Sequence, residues 1–137
     1  MNQKIDWSEL FFSSTGRVRQ MPFLIAMAVL LIAFFIYDSA ITGAPRVLTG
    51  WIVYPVLLFC AACVLSKRLH DRGRSGWWSA VILLGFMMAW PRPEGLFDFV
   101  GVVVLGWAII DLALMPGERG ANRYGVATRF VEAPEAL

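Results

Sequence analysis

Five arginines and one serine are the residues of this chain best suited to chemistry: Arg17, Arg68, Arg72, Arg74, Arg123 and Ser75. A guanidinium is planar, stays charged, and forks onto a phosphate with two parallel hydrogen bonds. Ser75 lies in the stretch Gly73-Arg74-Ser75-Gly76, just before an apolar block. A helix starting there would offer free N–H groups and a partial positive charge, with Ser75 as its cap and glycines admitting close approach. Together these residues read as a seat for a phospholipid head group or another phosphate. The same cations have a plainer reading, in which they set topology and meet lipid loosely.

His70 and Asp71 invite an acid–base reading, but neighbours in a helix do not face each other. Arg68 lies three residues before Asp71, on a neighbouring face, so a structural ion pair is the simpler expectation. Histidine's ordinary pKa would make His70 a natural pH sensor. It is the only histidine, which excludes a metal site built mainly from histidines. Cys60 and Cys63 have dithiol spacing but sit deep in an apolar run, where small residues at this spacing serve helix packing. Asp98 and Asp111 fall in the last apolar block, thirteen positions apart, or roughly 19.5 Å along a helix. Asp98 is expected at the outer interface. Asp111 has two readings: a lock onto Arg68 or Arg72, or a station on a proton or ion path. Neither a nucleophile with its base nor a metal cluster is apparent, so no enzyme, metal or cofactor is expected.

What must position these residues follows from composition. Of 137 residues, 58% are apolar and 16% charged, against about a quarter charged in soluble domains. A disordered chain is excluded, and a soluble enzyme domain is disfavoured. Four apolar blocks, at about 21–41, 48–65, 75–90 and 96–115, lie between a 1–20 arm and a 116–137 tail. Crossing the hydrocarbon takes about 20 helical residues. The third block is short, only 14 residues from Trp77 to Trp90. It could borrow length from Gly73 to Gly76, thin the bilayer, or dip in and return. No block alternates with the period of a barrel strand. The expected fold is an all-α integral membrane four-helix bundle. With four crossings, ten of the twelve cations share one side, which puts both termini in the cytoplasm. Trp77, Trp78 and Trp90 mark the boundaries of the third block. Pro45, Pro91 and Pro93 are assigned to outer loops of about ten and five residues. The first block reads as a retained anchor. Ile5 to Phe12 reads either as an interfacial helix or as an arm packed on the bundle, and the tail beyond Gly125 as extended or disordered.

Two runs have a familiar look. Arg68-Leu69-His70-Asp71-Arg72-Gly73-Arg74-Ser75-Gly76-Trp77-Trp78 resembles the hallmark of the bacterial "domain of unknown function 805" membrane family. Pro116-Gly117-Glu118-Arg119-Gly120-Ala121-Asn122-Arg123-Tyr124-Gly125 resembles its second hallmark, with Glu118 and Ala121 where Thr and Pro are common. Phe12 to Arg19, with Gly16-Arg17, is similar to its opening segment. The resemblance implies a multi-pass inner-membrane protein of four helices, and no activity. The resulting expectation is a non-enzymatic component of the bacterial inner (plasma) membrane. Its basic cytoplasmic rim would bind anionic membrane phospholipids or a cytoplasmic partner protein, and it could form a homo-oligomer. The alternative is a small oligomeric transporter or channel with Asp111 in the pathway. Nucleic acid is not expected, because no soluble domain frames the Gly73-x-x-Gly76 spacing.

Overall fold

The computed structural model describes residues 6–125. Lys4, Ile5, Arg129, Glu132, Glu135 and the expected loose tail past Gly125 lie outside the described residues. Five helices follow in order: α1 (Trp7–Phe12), α2 (Gln20–Ala40), α3 (Ala44–Asp71), α4 (Trp78–Ala89) and α5 (Leu96–Ala108). A π-helical segment, Ile109–Leu114, continues α5. There is no strand among the described residues.

The second long helix exceeds its 48–65 expectation at both ends. Gly43 takes φ +68°, and this left-handed turn reverses the chain within three residues rather than about ten. Pro45 lies in the first turn of α3 and not in a loop; its missing N–H is an orphan there in any case. At the far end the helix runs on past the apolar block through Ser66, Lys67 and Arg68 to Asp71. It stops in a Schellman motif. Gly73 at φ +71° donates to the His70 carbonyl (3.0 Å), and the Arg74 N–H donates to that of Leu69 (2.8 Å).

That turn uses up residues 73–77, so they do not lengthen the third apolar helix. With 12 residues, α4 is roughly 18 Å long. It still runs along the bundle. The Trp78 ring meets Trp107 at one end (5.5 Å between centroids), and Trp90, just past α4, meets Phe34 and Phe35 far along α2 (5.6 and 5.0 Å). The α4–α5 hairpin is closed by glycines. A Cβ on Gly101 would lie 2.6 Å from the Gly85 carbonyl oxygen. At the start of α5, Asp98 accepts the N–H groups of Glu94 and Gly95 (3.0 and 2.9 Å), the backward half of a capping arrangement. Asp98 and Asp111 therefore stand near opposite ends of one helical rod.

Burial is inverted relative to a water-soluble protein. Leu48, Trp51 and Phe97 are 76%, 82% and 74% exposed, whereas Arg17 and Arg68 are 1% and 0% exposed. Apolar area on this scale is not left to water. Gln20–Ala40, Ala44–Asp71 and the continuous Leu96–Leu114 rod are each long and apolar enough to cross a bilayer. The chain has the make-up of a multi-pass helical membrane protein. Cys60 and Cys63 are buried free thiols within α3, and Cys60 packs in the apolar core.

Gly101→Ala should force α4 from α5 and destabilise the protein by about 1–3 kcal/mol. Gly106→Ala meets open space and should leave it unchanged. Thermal melting of the two variants in detergent reads the difference.

Candidate functional site

Three separate stretches meet at one end of the bundle: the turn before α2, the end of α3 with its turn, and the tail after the π segment. At their centre is Asp71, the last residue of α3, 2% exposed. Its Oδ1 accepts from Arg17 Nε (3.1 Å) and lies 2.9 Å from Arg17 Nη2. Its Oδ2 accepts from Arg68 Nη1 (2.5 Å). Two buried guanidinium groups thus share one carboxylate.

Their other N–H groups are spent on backbone carbonyls. Arg17 donates to Gly120 (2.6 Å) and Gly125 (3.0 Å) through Nη1, and to Glu118 (2.7 Å) through Nη2. Arg68 donates to Leu112 (2.8 Å) and Met115 (2.7 Å). The last carbonyls of a helix have no partner within it and carry partial negative charge. Here Gln20 takes that of Ala113 (2.6 Å) and Arg72 that of Pro116 (2.6 Å). The rod that began at Leu96 is thereby capped by side chains from α2, α3 and the turn after α3.

A second pairing lies beside the first. Asp111, in the first turn of the π segment, accepts from Arg72 Nη2 (2.9 Å) and Arg74 Nε (3.0 Å). Of the two partners expected for it, Arg72 is the one it meets; Arg68 points instead to Asp71. The Arg74 guanidinium lies 5.5 Å from the Trp107 ring centroid, a cation–π distance, and its side chain is 41% exposed. Nε of Arg72 is the buried side-chain polar atom left without a partner among the described residues.

His70 belongs to the tail's attachment. Its ring stacks on Tyr124 (3.9 Å between centroids, 8° between planes), and its Nδ1 donates to the Gly16 carbonyl (2.9 Å). Asn122 donates to the His70 carbonyl (2.9 Å) and to Glu118 Oε2 (2.7 Å). Arg123 lies over the Tyr124 ring at 4.8 Å. Two glycines permit the close fit: a Cβ on Gly117 would collide with the Asp71 carboxylate, and one on Gly73 with that of Glu118.

These positions revise the phosphate seat. Arg17 and Arg68 face inward with their donors engaged, so they do not share one open seat with Arg72, Arg74 and Arg123. Ser75 is not the helix cap, because α4 starts at Trp78; its hydroxyl accepts the Trp77 N–H (3.4 Å). His70 and Asp71 do not act on each other. The roles of Gln20, Lys67, Asn122 and Tyr124 were not foreseen. Lys67 is buried and donates to the Glu9 carbonyl (2.5 Å), which ties α1 to α3. Asn122 and Tyr124 lie in the second hallmark run, the one available pointer to them; nothing local marks Gln20 or Lys67.

The geometry defines a class, a multi-pass helical membrane protein whose polar segments close one end around buried arginine–aspartate pairs. The family described as "Protein of unknown function (DUF805)" matches residues 11–126, and this chain belongs to it. The chain is also similar to the "Uncharacterized protein YiiR" of Escherichia coli K12, at 30% identity over 130 residues, covering 88% of this chain and 89% of the relative. The protein of the same name from Escherichia coli O157:H7 matches equally. No solved structure matches.

Asp71→Asn strips both inward guanidinium groups of their counter-charge and should cost about 3–5 kcal/mol. Asp111→Asn, whose partners are partly exposed, should cost less. Denaturant titration of the purified variants in detergent orders the two; equal losses would contradict the central role of Asp71.

Proposed function

We propose that this protein is a non-enzymatic component of the bacterial inner membrane that crosses the bilayer four times, with α4 as the short third crossing. Both termini lie in the cytoplasm, and its basic end binds anionic phospholipid. The carrying observation is the separation of charge. Among the described residues, Arg17, Arg19, Lys67, Arg68, Arg72, Arg74, Arg119 and Arg123 stand at the end where arm, α3 turn and tail meet, and only Arg46 and Arg92 at the other. Cations accumulate on the cytoplasmic side of a membrane, where each one near an anionic leaflet is worth about 1 kcal/mol. The inward arginines support this rim from below. The exposed Arg19, Arg119 and Arg123, with half-exposed Arg74, face outward and meet phosphate.

The transporter reading draws less support. Asp111 is held between two guanidinium groups at the basic end, an arrangement that suits a fixed lock better than a group that must exchange its proton.

Arg92→Cys in intact cells should react with a membrane-impermeant maleimide, and Arg119→Cys only after lysis. Labelling of Arg119→Cys from outside would reverse the topology. Replacing Arg19, Arg119 and Arg123 together by Gln should lower retention of anionic lipid in native mass spectrometry, by roughly fivefold for each position that meets the leaflet. Unchanged retention would remove the rim from lipid binding.

A further inference from the structure

An open hollow of about 420 Å³ lies where the end of α3, the first turn of α4 and the tail come together. Ser14, Ser66, Ser75, Ser79, His70 and Tyr124 are among the residues that line it. Among the described residues, no carboxylate lines it.

Its polar atoms are fixed in direction. Because His70 Nδ1 donates to the Gly16 carbonyl, the neutral ring presents Nε2 as an acceptor. Stacking on Tyr124 fixes the plane of that ring. Ser66 Oγ donates to Ser79 Oγ (3.3 Å), and Ser79 Oγ donates to the Gly76 carbonyl (2.7 Å), so both hydroxyls keep acceptor lone pairs. Ser75 Oγ accepts from Trp77, which leaves its O–H to donate. Gly76 forms the floor. A Cβ there would stand 3.0 Å from His70 Nε2 and 3.2 Å from Ser66 Oγ, so the two polar atoms converge on a spot that only glycine leaves open.

The surroundings say from which side a ligand enters. Trp77 lines the hollow and is 84% exposed, an amphipathic ring of the kind that sits at the lipid–water boundary. The Arg123 guanidinium lies 4.8 Å from the centroid of the Tyr124 ring, so it sets positive charge beside a wall of the hollow. Hydroxyls and a neutral imidazole inside match an alcohol-bearing group better than a bare phosphate, and a guanidinium at the edge matches the phosphate.

We infer that this hollow binds a membrane lipid whose head group carries free hydroxyls as well as a phosphate, the hydroxyls inside and the phosphate at the rim beside Arg123. This deepens the lipid-binding reading above and rests on it. The test is native mass spectrometry of the full chain in mild detergent with acyl-matched phosphatidylglycerol, phosphatidic acid and phosphatidylcholine in equal amounts. Phosphatidylglycerol should be retained roughly fivefold over phosphatidic acid, the worth of about one extra hydrogen bond. Ser14→Ala with Ser75→Ala, both at accessible positions, should bring that ratio near unity while retention of phosphatidic acid stays the same. Equal retention of the two anionic lipids by the unaltered chain, or a preference that survives both substitutions, overturns the hollow and leaves the basic rim standing. If both anionic lipids are held no better than phosphatidylcholine, the rim reading fails and the inference with it. Tighter binding of free glycerol 3-phosphate than of the lipid would assign the hollow to a soluble ligand and overturn the lipid.

Discussion

The rest of the structure depends on Asp71 holding two guanidinium groups that are buried with it. Removing such charges from water costs several kcal/mol each, and only close pairing with every remaining donor engaged offsets it. Arg17 and Arg68 meet that demand by different routes. Arg68 reaches from α3 to the carbonyls that end the rod begun at Leu96. Arg17 reaches from the arm to carbonyls of the tail. One carboxylate therefore fixes the relative positions of four parts of the chain. The geometry tolerates little change around it, since even a methyl group on Gly117 has no room beside the carboxylate.

From that constraint follows the asymmetry of the molecule. Polar segments close the Asp71 end like a plug, with the tail fastened further by the His70–Tyr124 stack and by Asn122. The opposite end is simpler. There Arg46 pairs with Asp38, and Tyr54 donates to the same carboxylate (3.1 Å), all partly open to the surroundings. Between the ends, apolar side chains face outward and glycines bring α4 against α5. Helices in lipid gain little from hiding apolar surface, so close backbone approach and polar ties carry more of their association.

This division explains what was legible in the sequence. Apolar length reveals helices that only have to be greasy, and so α2 and the long rod stand out. Arg68 and Asp71 are three apart, and a local rule connects them. The extension of α3 to Asp71 was hidden because Lys67 and Arg68 look like the start of a water-exposed loop. What buries them, the arm and the tail, lies more than forty residues away in the chain. Arg17 meets an acid 54 residues distant, a pairing that no periodicity records. The failure of Ser75 as a cap is different in kind. Once Gly73 adopts the left-handed conformation, the next residues belong to the turn, and the helix starts later than its apolar run.

The buried pairs also bear on how this end presents itself outward. Four guanidinium groups (Arg17, Arg68, Arg72 and Arg74) converge on two carboxylates, Asp71 and Asp111. The surplus donors are satisfied by backbone carbonyls, which are dipoles and cancel no net charge. Hydrogen bonding is therefore complete or nearly so, while the local charge stays positive. In a low-dielectric setting that surplus is poorly screened, and its field extends toward the rim where Arg19, Arg119 and Arg123 stand. An anionic surface placed there would lower the energy of the buried surplus as well as that of the exposed cations. On the proposed lipid-binding reading, internal stability and attraction to an anionic leaflet would be two consequences of one charge arrangement, and a substitution that balances the buried cluster would weaken the second even where it strengthens the first.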